Sequence, residues 1–445
     1  MPAANTEGAG PANRASEPGP GAGPATPSPP CRDHHSETRQ EGGDNERIHQ
    51  DHGAPAGHGG RDDAWRRHRA GGRGAALLDS AAADRPSGGH RAGQQIGWQH
   101  AIDWINGNGG IAGHRIDAEF YDDEYRVELA VAGFLRAAQR GDLIFSAVNG
   151  TPAVRAITPE NNDTHQVLVS STGGASDLID VDQYPFHFLV GPTYSDMIHM
   201  LFNHIAAEHA GSAAPTVALV YSDSEFGRDP LANARALAAE MGIDIVLEQE
   251  TRFVEVDVTS HAIRIRQARP DYVIFHGYAA NVWPEIVRLL RDYGVETQFM
   301  GTLFGSHPDV VATVGDAADN YLGTVSVNLL VGESDTEMMR TIDGYLRSWT
   351  DQPYTGYANI GYMQSWSTAL VLREAIASAI GKGIALTGQN LIAEINAIEA
   401  FDAGGVFGTD VSFELNRIPY GVIYRYNIVD GQLTVSEATP WGRVD

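Results

Sequence analysis

His276–Gly323 reads HGYAANVWPEIVRLLRDYGVETQFMGTLFGSHPDVVATVGDAADNYLG, and its patterning decides the fold. The residues just before it, Tyr272–Phe275, are aromatic and β-branched and predict a buried strand. A helix follows, with Pro284 near its start and Ile286, Val287, Leu289 and Leu290 along it. Gly294 stands where a helix is commonly ended by a left-handed glycine. Gln298–Gly301 predicts a second short strand, then a loop and another helix. Strand, helix, strand in this order is a unit of a parallel sheet, and such sheets bind ligands beyond the carboxyl ends of their strands.

The 445 residues are enough for two domains with cores of their own. Hydrophobic residues at 42% and charged residues at 20% are ordinary for a globular protein. A formal charge of −26 argues against nucleic acid or an anionic membrane surface as partner, since both repel it. The single cysteine, Cys31, excludes an intrachain disulfide and a cysteine-rich zinc site. No run reaches the roughly 18 apolar residues of a membrane span.

Residues 1–92 differ from the rest. They hold nearly half of the prolines and more than a third of the histidines, with hardly any Ile, Val, Phe or Tyr. Passages such as GPGAGPATPSPP cannot bury enough apolar surface to offset chain entropy, so disorder is expected. There is no basic start, apolar core and small-residue cleavage site of a secretory signal. Enrichment in Arg, Gly, Ala, Pro and His is what a GC-rich gene yields out of frame. A frame or start-site error upstream of Gly93 is therefore favoured over a natural low-complexity tail. His34–His35 and His52–His58 are read as composition, not as a metal site.

From Gly93 the chain alternates helices and strands. GQQIGWQHAIDWINGNGG is an amphipathic helix closed by Gly109–Gly110, and His114–Tyr121 alternates as a strand. Asp122, Asp123 and Glu124 follow it and are read as helix N-capping rather than cation binding. Helices are expected at 126–140 and 152–159, with strands at 142–146, 166–170 and 185–190. Asn149-Gly150-Thr151 and Ser171-Thr172-Gly173 close two of these strands with hydroxyls, an amide and flexible backbone N–H groups. Those groups suit a carboxylate or another polar ligand end, and ordinary turn chemistry explains them equally well. Pro215–Tyr221 opens a second β-α series. Helices are expected at 335–350, 359–380 and 390–398, and the Asp430-Gly431 turn marks a terminal hairpin.

Several passages carry a resemblance. VETQFMGTLFG followed by VGDAADNYLGTVSV, the YDD at 121–123, and VALVYSDSEFG with its D-x-x-F-G turn closely resemble the branched-chain amino-acid-binding family of ABC-transporter solute receptors. These are type I periplasmic binding proteins, and the resemblance runs from Gly93 to Asp445. It implies an α/β fold of two doubly wound parallel-sheet lobes joined by three crossings, at Gly191-Pro192, 324–329 and 407–413. Lobe 1 would comprise 93–191 with 327–407, and lobe 2 would comprise 192–326 with 408–445. Family members begin with a strand of the form I-x-I-G; here the first helix is present and that strand is not. It would be central in the first sheet, so its loss is expected to weaken that lobe.

The resemblance also implies a site. The loops of Asn149, Gly150, Thr151, Ser171, Thr172 and Gly173 would grip a carboxylate from one lobe. Asp223, Phe226, Tyr278 and Leu303 would cover the ligand from the other, with Phe226 in place of a tyrosine that packs on it. Leu303 departs from the pattern. The amino-acid binders resemble QFMGPEG, whose glutamate neutralises the ligand's ammonium, whereas this chain has Thr302-Leu303-Phe304. Burying an ammonium without a partner is costly. A less polar ligand is expected, such as an aromatic or aliphatic acid or an amide, unless Asp223 or Glu225 substitutes.

No strand-preceded G-x-G-x-x-G, G-x-x-x-x-G-K, H-E-x-x-H or G-x-S-x-G is present. His100, His204 and His276 have no partner at metal-ligand spacing. The expectation is a non-enzymatic, extracytoplasmic solute receptor without cofactor or metal, working as a monomer. Its partners would be a small-molecule ligand and the membrane permease of an ABC importer, with no nucleic acid. A ligand-sensing regulator of the same fold, similar to an amide sensor, is the alternative. The sugar-operon repressors of this fold carry an N-terminal helix-turn-helix, which 1–92 lacks.

Overall fold

Two sheets, each covered by helices, carry the chain. The computed structural model describes residues 75–79, 88–253, 255–279, 282–349 and 355–444, without the side chains of 75–79 and 88–92. The disorder and the histidine clusters expected in 1–92 lie for the most part outside the described residues.

The first sheet contains β1 (Ala75–Asp79), β2 (Asp117–Tyr121), β3 (Leu143–Val148), β4 (Leu168–Ser171) and β5 (His187–Phe188) in the order β2-β1-β3-β4-β5. All pairings are parallel; Leu77 stands opposite Glu119 on one side and Ser146 on the other. The expectation that the first strand is missing is therefore corrected. AALLD fills the central place, although no β-branched residue announces it. In a central strand, ladder hydrogen bonds and neighbours on both sides override weak propensity. The helices of this series are α1 (Gly88–Gly107), α2 (Val127–Ala138) and α3 (Thr151–Glu160). Helix α1 starts five residues before the predicted position.

The second sheet begins after α4 (Tyr194–Glu208), whose first turn is closed by a reciprocal capping box between Thr193 and Asp196. It is built from β6 (Thr216–Ser222), α5 (Glu225–Arg228), α6 (Leu231–Met241), β7 (Asp244–Thr251), α7 (Thr259–Ala268), β8 (Tyr272–His276), α8 (Val282–Asp292), β9 (Gln298–Thr302), α9 (Pro308–Val314) and β10 (Tyr321–Val325). In α8, Val282, Trp283, Ile286, Val287 and Leu290 face inward and Glu285 faces solvent, as the spacing predicts. The chain then returns to the first lobe as α10 (Glu337–Ser348), α11 (Ile360–Lys382) and α12 (Gly388–Asn396), with α11 packed along α1. It ends on the second sheet with β11 (Tyr420–Val429), β12 (Gln432–Glu437) and β13 (Gly442–Arg443). The order is β12-β11-β10-β9-β8-β6-β7, with β13 on β11. Pairings from β10 to β7 are parallel, and those of β11 with β10, β12 and β13 are antiparallel.

Three connections pass between the lobes side by side. Leu189 N donates to Asn416 O at 2.8 Å, Ile418 N donates to Leu189 O at 3.1 Å, and Asn328 N donates to Val406 O at 2.8 Å. The third crossing lies at Asn416–Ile418, not at the predicted 407–413. Val411 pairs instead with Phe401, and Phe413 N with Ile398 O, which holds that stretch beside α12. Among the described residues, no helix is long and apolar enough to cross a membrane.

Candidate functional site

In each sheet the strand order reverses next to a central strand, and the loops beyond the carboxyl ends there form a crevice. In the second sheet the reversal lies between β6 and β8, which places the turns after Ser222 and His276 side by side. Tyr278 N donates to Ser222 Oγ at 2.8 Å, joining the two turns. In the first sheet β3 and β4 are neighbours, with Val148 opposite Ser171. The loops of Asn149–Thr151 and Ser171–Gly173 therefore emerge together.

The first-lobe loops are largely tied to one another. Thr172 Oγ1 donates to Asn149 Oδ1 at 3.3 Å, and Asn149 Nδ2 donates to Gln94 Oε1 on α1 at 3.0 Å. Gln364 Nε2 on α11 donates to Thr172 O at 3.2 Å, and Ser171 Oγ turns back to Gly173 O. Gly150 has φ +98°, and a Cβ there would stand 2.9 Å from the Tyr125 ring. Glycine is needed on both counts. A Cβ on Gly173 would collide with the Tyr194 hydroxyl. Thr151 Oγ1 lies beside that point, buried, with the Tyr194 hydroxyl as a polar neighbour. It stands at the start of α3, whose N-terminus has no side-chain cap. Orphan backbone N–H groups and a hydroxyl are the elements of an anion seat.

Aromatic rings make the other side. Phe226 is buried, with its ring centroid 4.5 Å from His276, 5.0 Å from Tyr194, 5.1 Å from Tyr278 and 5.3 Å from Phe304. Phe253 packs on Tyr278 edge-to-face at 4.6 Å. Burial pushes both the Tyr194 and the Tyr278 hydroxyls far above the ordinary tyrosine range, the nearby Tyr125 adding to each, so both stay neutral. Burial pushes His276 down to about 3. Its neutral ring contacts Phe226 O through Nε2 at 3.1 Å and Thr302 Oγ1 through Nδ1 at 2.6 Å. A carbonyl can only accept, so Nε2 carries the proton and Nδ1 accepts from the threonine hydroxyl.

Leu303 is buried at φ +43°, a left-handed conformation that costs a bulky residue backbone strain of about 1–3 kcal/mol. Bracing from behind holds it. Trp283 Nε1 donates to Tyr321 OH at 3.0 Å, Tyr321 OH donates to Gly305 O at 2.7 Å, and Tyr426 OH donates to Ser306 O at 2.6 Å.

Thus Phe226 and Tyr278 come together at the crevice with Phe304, next in sequence to the buried Leu303, and the two first-lobe loops come together with one another. Asp223 does not join them. Its side chain is 45% exposed and pairs with Arg228, which also holds Glu250 at 2.8 Å. Glu225 and Asp229 are engaged by Arg155 at 3.2 and 2.7 Å. Sequence reading missed Tyr125, Tyr194, Phe253 and Phe304. Tyr125 is presented by two consecutive left-handed residues, Glu124 and Tyr125 itself (φ +55° and +57°). Asp122 Oδ1 accepts from Glu124 N at 2.9 Å and Asp123 Oδ1 from Tyr125 N at 2.7 Å. Those aspartates shape this turn and do not cap α2, whose N-cap, Arg126, makes no side-chain cap bond. The Tyr125 hydroxyl meets that of Tyr278 across the crevice.

A profile of the family described as periplasmic binding protein matches residues 87–431. The chain belongs to that family. A stretch of 235 residues is 21% identical to the leucine-, isoleucine-, valine-, threonine- and alanine-binding protein of Pseudomonas aeruginosa, covering 52% of this chain and 61% of that relative. Among solved structures, a branched-chain amino acid ABC transporter protein from Thermus thermophilus with bound valine superposes with a TM-score of 0.74 at 23% identity. The match covers 84% of this chain and 97% of that one. A fatty acid ABC transporter substrate-binding protein from Thermomonospora curvata gives 0.69 at 14% identity, over 82% and 92%. The fold is that of the type I periplasmic binding proteins, two parallel-sheet lobes with three crossings.

Proposed function

We propose that this chain is an extracytoplasmic receptor that captures a small organic ligand between its lobes and delivers it to the permease of an ABC importer. One observation carries the reading. The carboxyl ends of both sheets meet face to face, with Tyr125 of one lobe touching Tyr278 of the other. A ligand seated there touches both lobes, and only differential affinity for the closed arrangement drives closure. The lobes correspond to 93–191 with 327–407 and to 192–326 with 408–445, adjusted by β1 and by the later third crossing. The receptor acts as a monomer and performs no chemistry on its ligand.

The ligand is a less polar acid or an amide rather than a free α-amino acid. Asp223 and Glu225, the two acids that could replace the missing glutamate, are each matched to an arginine. The wall around Leu303 is aromatic and uncharged. The start of α3 with Thr151 seats the ligand's polar end, and Phe226, Tyr278 and Phe304 cover its apolar body. Thermal-shift screening against aromatic acids, aliphatic acids, amides, leucine and valine tests this. A ligand at one hundred times its Kd adds about 2.7 kcal/mol, or roughly 3–4 °C for a protein of this size. Nanomolar to micromolar binding of leucine or valine refutes the ligand class.

A further inference from the structure

We propose that Arg155 is a closure latch: a positioning residue, pre-set on the first lobe, that engages two acids of the second lobe and stabilises the closed arrangement through protein groups alone. The proposal rests on the receptor reading only in taking the lobes to hinge.

Arg155 lies in α3, on the first lobe. Within that lobe Asp177 grips it in two places, Nε to Oδ2 at 3.0 Å and Nη2 to Oδ1 at 2.9 Å. Tyr184 OH donates to the same Asp177 Oδ2 at 2.7 Å, which fixes the carboxylate. A planar guanidinium held in this way is already oriented before the lobes meet, so little side-chain entropy remains to be lost on closing. Two of its nitrogens then reach across. Nη2 donates to Asp229 Oδ1 at 2.7 Å and Nη1 to Glu225 Oε2 at 3.2 Å, both acids coming from the turns after β6.

Asp229 is the stronger partner. Only 3% of its side chain is exposed, whereas Glu225 is 56% exposed and contributes little. Its second oxygen accepts from Ser176 N at 2.8 Å and from Ser176 Oγ at 2.5 Å, again first-lobe groups. Ser176 Oγ also lies 2.7 Å from Ser195 Oγ, just past the first crossing, so the contact runs from the hinge out to the mouth. Burial raises the Asp229 pKa, with the bonds from Ser176 and Arg155 opposing it. The groups that bond its carboxylate are first-lobe groups, so opening breaks those bonds while Arg155 keeps Asp177. The ties are charge-assisted, short and sheltered, the kind whose loss is measurable.

Interlobe distance reads the latch without a ligand. Spin labels at Gln139→Cys and Glu240→Cys, exposed at the C-cap of α2 and on α6, with Cys31→Ser in the full chain, report it by pulsed electron resonance. Arg155→Met and Asp229→Asn should each lower the closed-to-open ratio at least fivefold. The double variant should add little, because the Arg155–Asp229 pair is the main tie that each variant breaks. Arg155→Lys, which keeps a charge for Asp177 but lacks the fork, should fall between. Thermal unfolding checks that each variant is folded, and Asp229→Asn, which keeps the shape of the side chain, serves if Arg155→Met is not. A distance distribution unchanged in folded Arg155→Lys and Asp229→Asn overturns the latch, whether or not any ligand has been found. Absence of any stabilising acid, amide or amino acid overturns the receptor reading and leaves this measurement standing.

Discussion

His276 and Phe226 are joined by a hydrogen bond from the histidine Nε2 to the phenylalanine carbonyl, 3.1 Å long and fully buried. Through its other nitrogen the same ring holds Thr302, the residue before Leu303. One neutral imidazole thus spaces the two turns that carry the aromatic wall. Replacing it by alanine leaves the buried carbonyl and the buried hydroxyl with only their longer contacts, Asp229 N at 3.3 Å and Phe275 O at 3.5 Å, and opens a cavity under Phe226. Either effect alone costs about 1–3 kcal/mol. We expect His276→Ala to lower the urea-unfolding free energy by about 3 kcal/mol or more. A loss under 1 kcal/mol would show that the turns hold themselves.

The same ring sets a pH dependence. His276 and His187 are both fully buried and pushed by desolvation from 6.5 to about 3. Above about pH 6.5 both are neutral in the folded and unfolded chain, and no penalty exists. Below it the unfolded chain takes up protons that the folded one refuses, so stability falls as pH falls, until about pH 3. Each histidine costs about 2 kcal/mol at pH 5, from 1.36 kcal/mol per unit over 1.5 units. Unfolding midpoints from pH 7.5 to 5 should drop accordingly, and His187→Phe should flatten the slope. A flat profile in the parent protein contradicts the buried neutral assignment.

Which parts were legible follows from which signals are local. The β8-α8-β9 unit could be placed because its apolar spacing, Gly294 and the β-branched strands are all properties of a few consecutive residues. β1 could not, because AALLD has no strand propensity and its place between β2 and β3 is decided by residues 40 to 70 positions away. Phe226, Tyr278 and Leu303 could be named from motif wording. Tyr125 could not, since two left-handed residues aim it, and Asp122 and Asp123 look the same in sequence whether they cap a helix or shape a turn. Asp223 was expected at the ligand because the resemblance puts its motif neighbours there, but Arg228, five residues on, takes its charge outward.

The Tyr125–Tyr278 pair offers a second interlobe tie, independent of Arg155. Tyr125→Phe and Tyr278→Phe each remove one partner of the interlobe hydrogen bond and leave the edge-to-face ring contact at 5.9 Å. A neutral pair of this kind is worth about 1 kcal/mol. Each variant should shift the interlobe equilibrium about fivefold toward open, and the double variant no further than one alone. Additive effects would mean that the hydroxyls act separately.

Gly173→Ala probes the join between the first-lobe loop and the second-lobe helix. The added methyl meets the hydroxyl of Tyr194, which is fully buried between Phe226 and His276 and cannot swing aside. Overpacking of this kind costs about 1–3 kcal/mol. The Tyr194→Phe background removes the clashing oxygen and should recover most of the loss. If Gly173→Ala is neutral in thermal unfolding, the loop has room that the packing denies.

Leu303→Glu tests the proposal that the site takes a ligand without an ammonium group. A carboxylate at this position is buried and has no cation beside it, so it destabilises the protein unless protonated, by several kcal/mol at neutral pH. Lowering the pH should therefore narrow the stability gap to the parent, against the histidine trend argued above. A bound α-amino acid supplies the missing cation, so leucine or valine at millimolar concentration should raise the unfolding midpoint of Leu303→Glu more than that of the parent. The parent should respond instead to ligands that carry a carboxylate or an amide and no ammonium. Equal responses of the two proteins to leucine would place the ligand's charged end away from Leu303, and the departure from the amino-acid pattern would then say nothing about specificity.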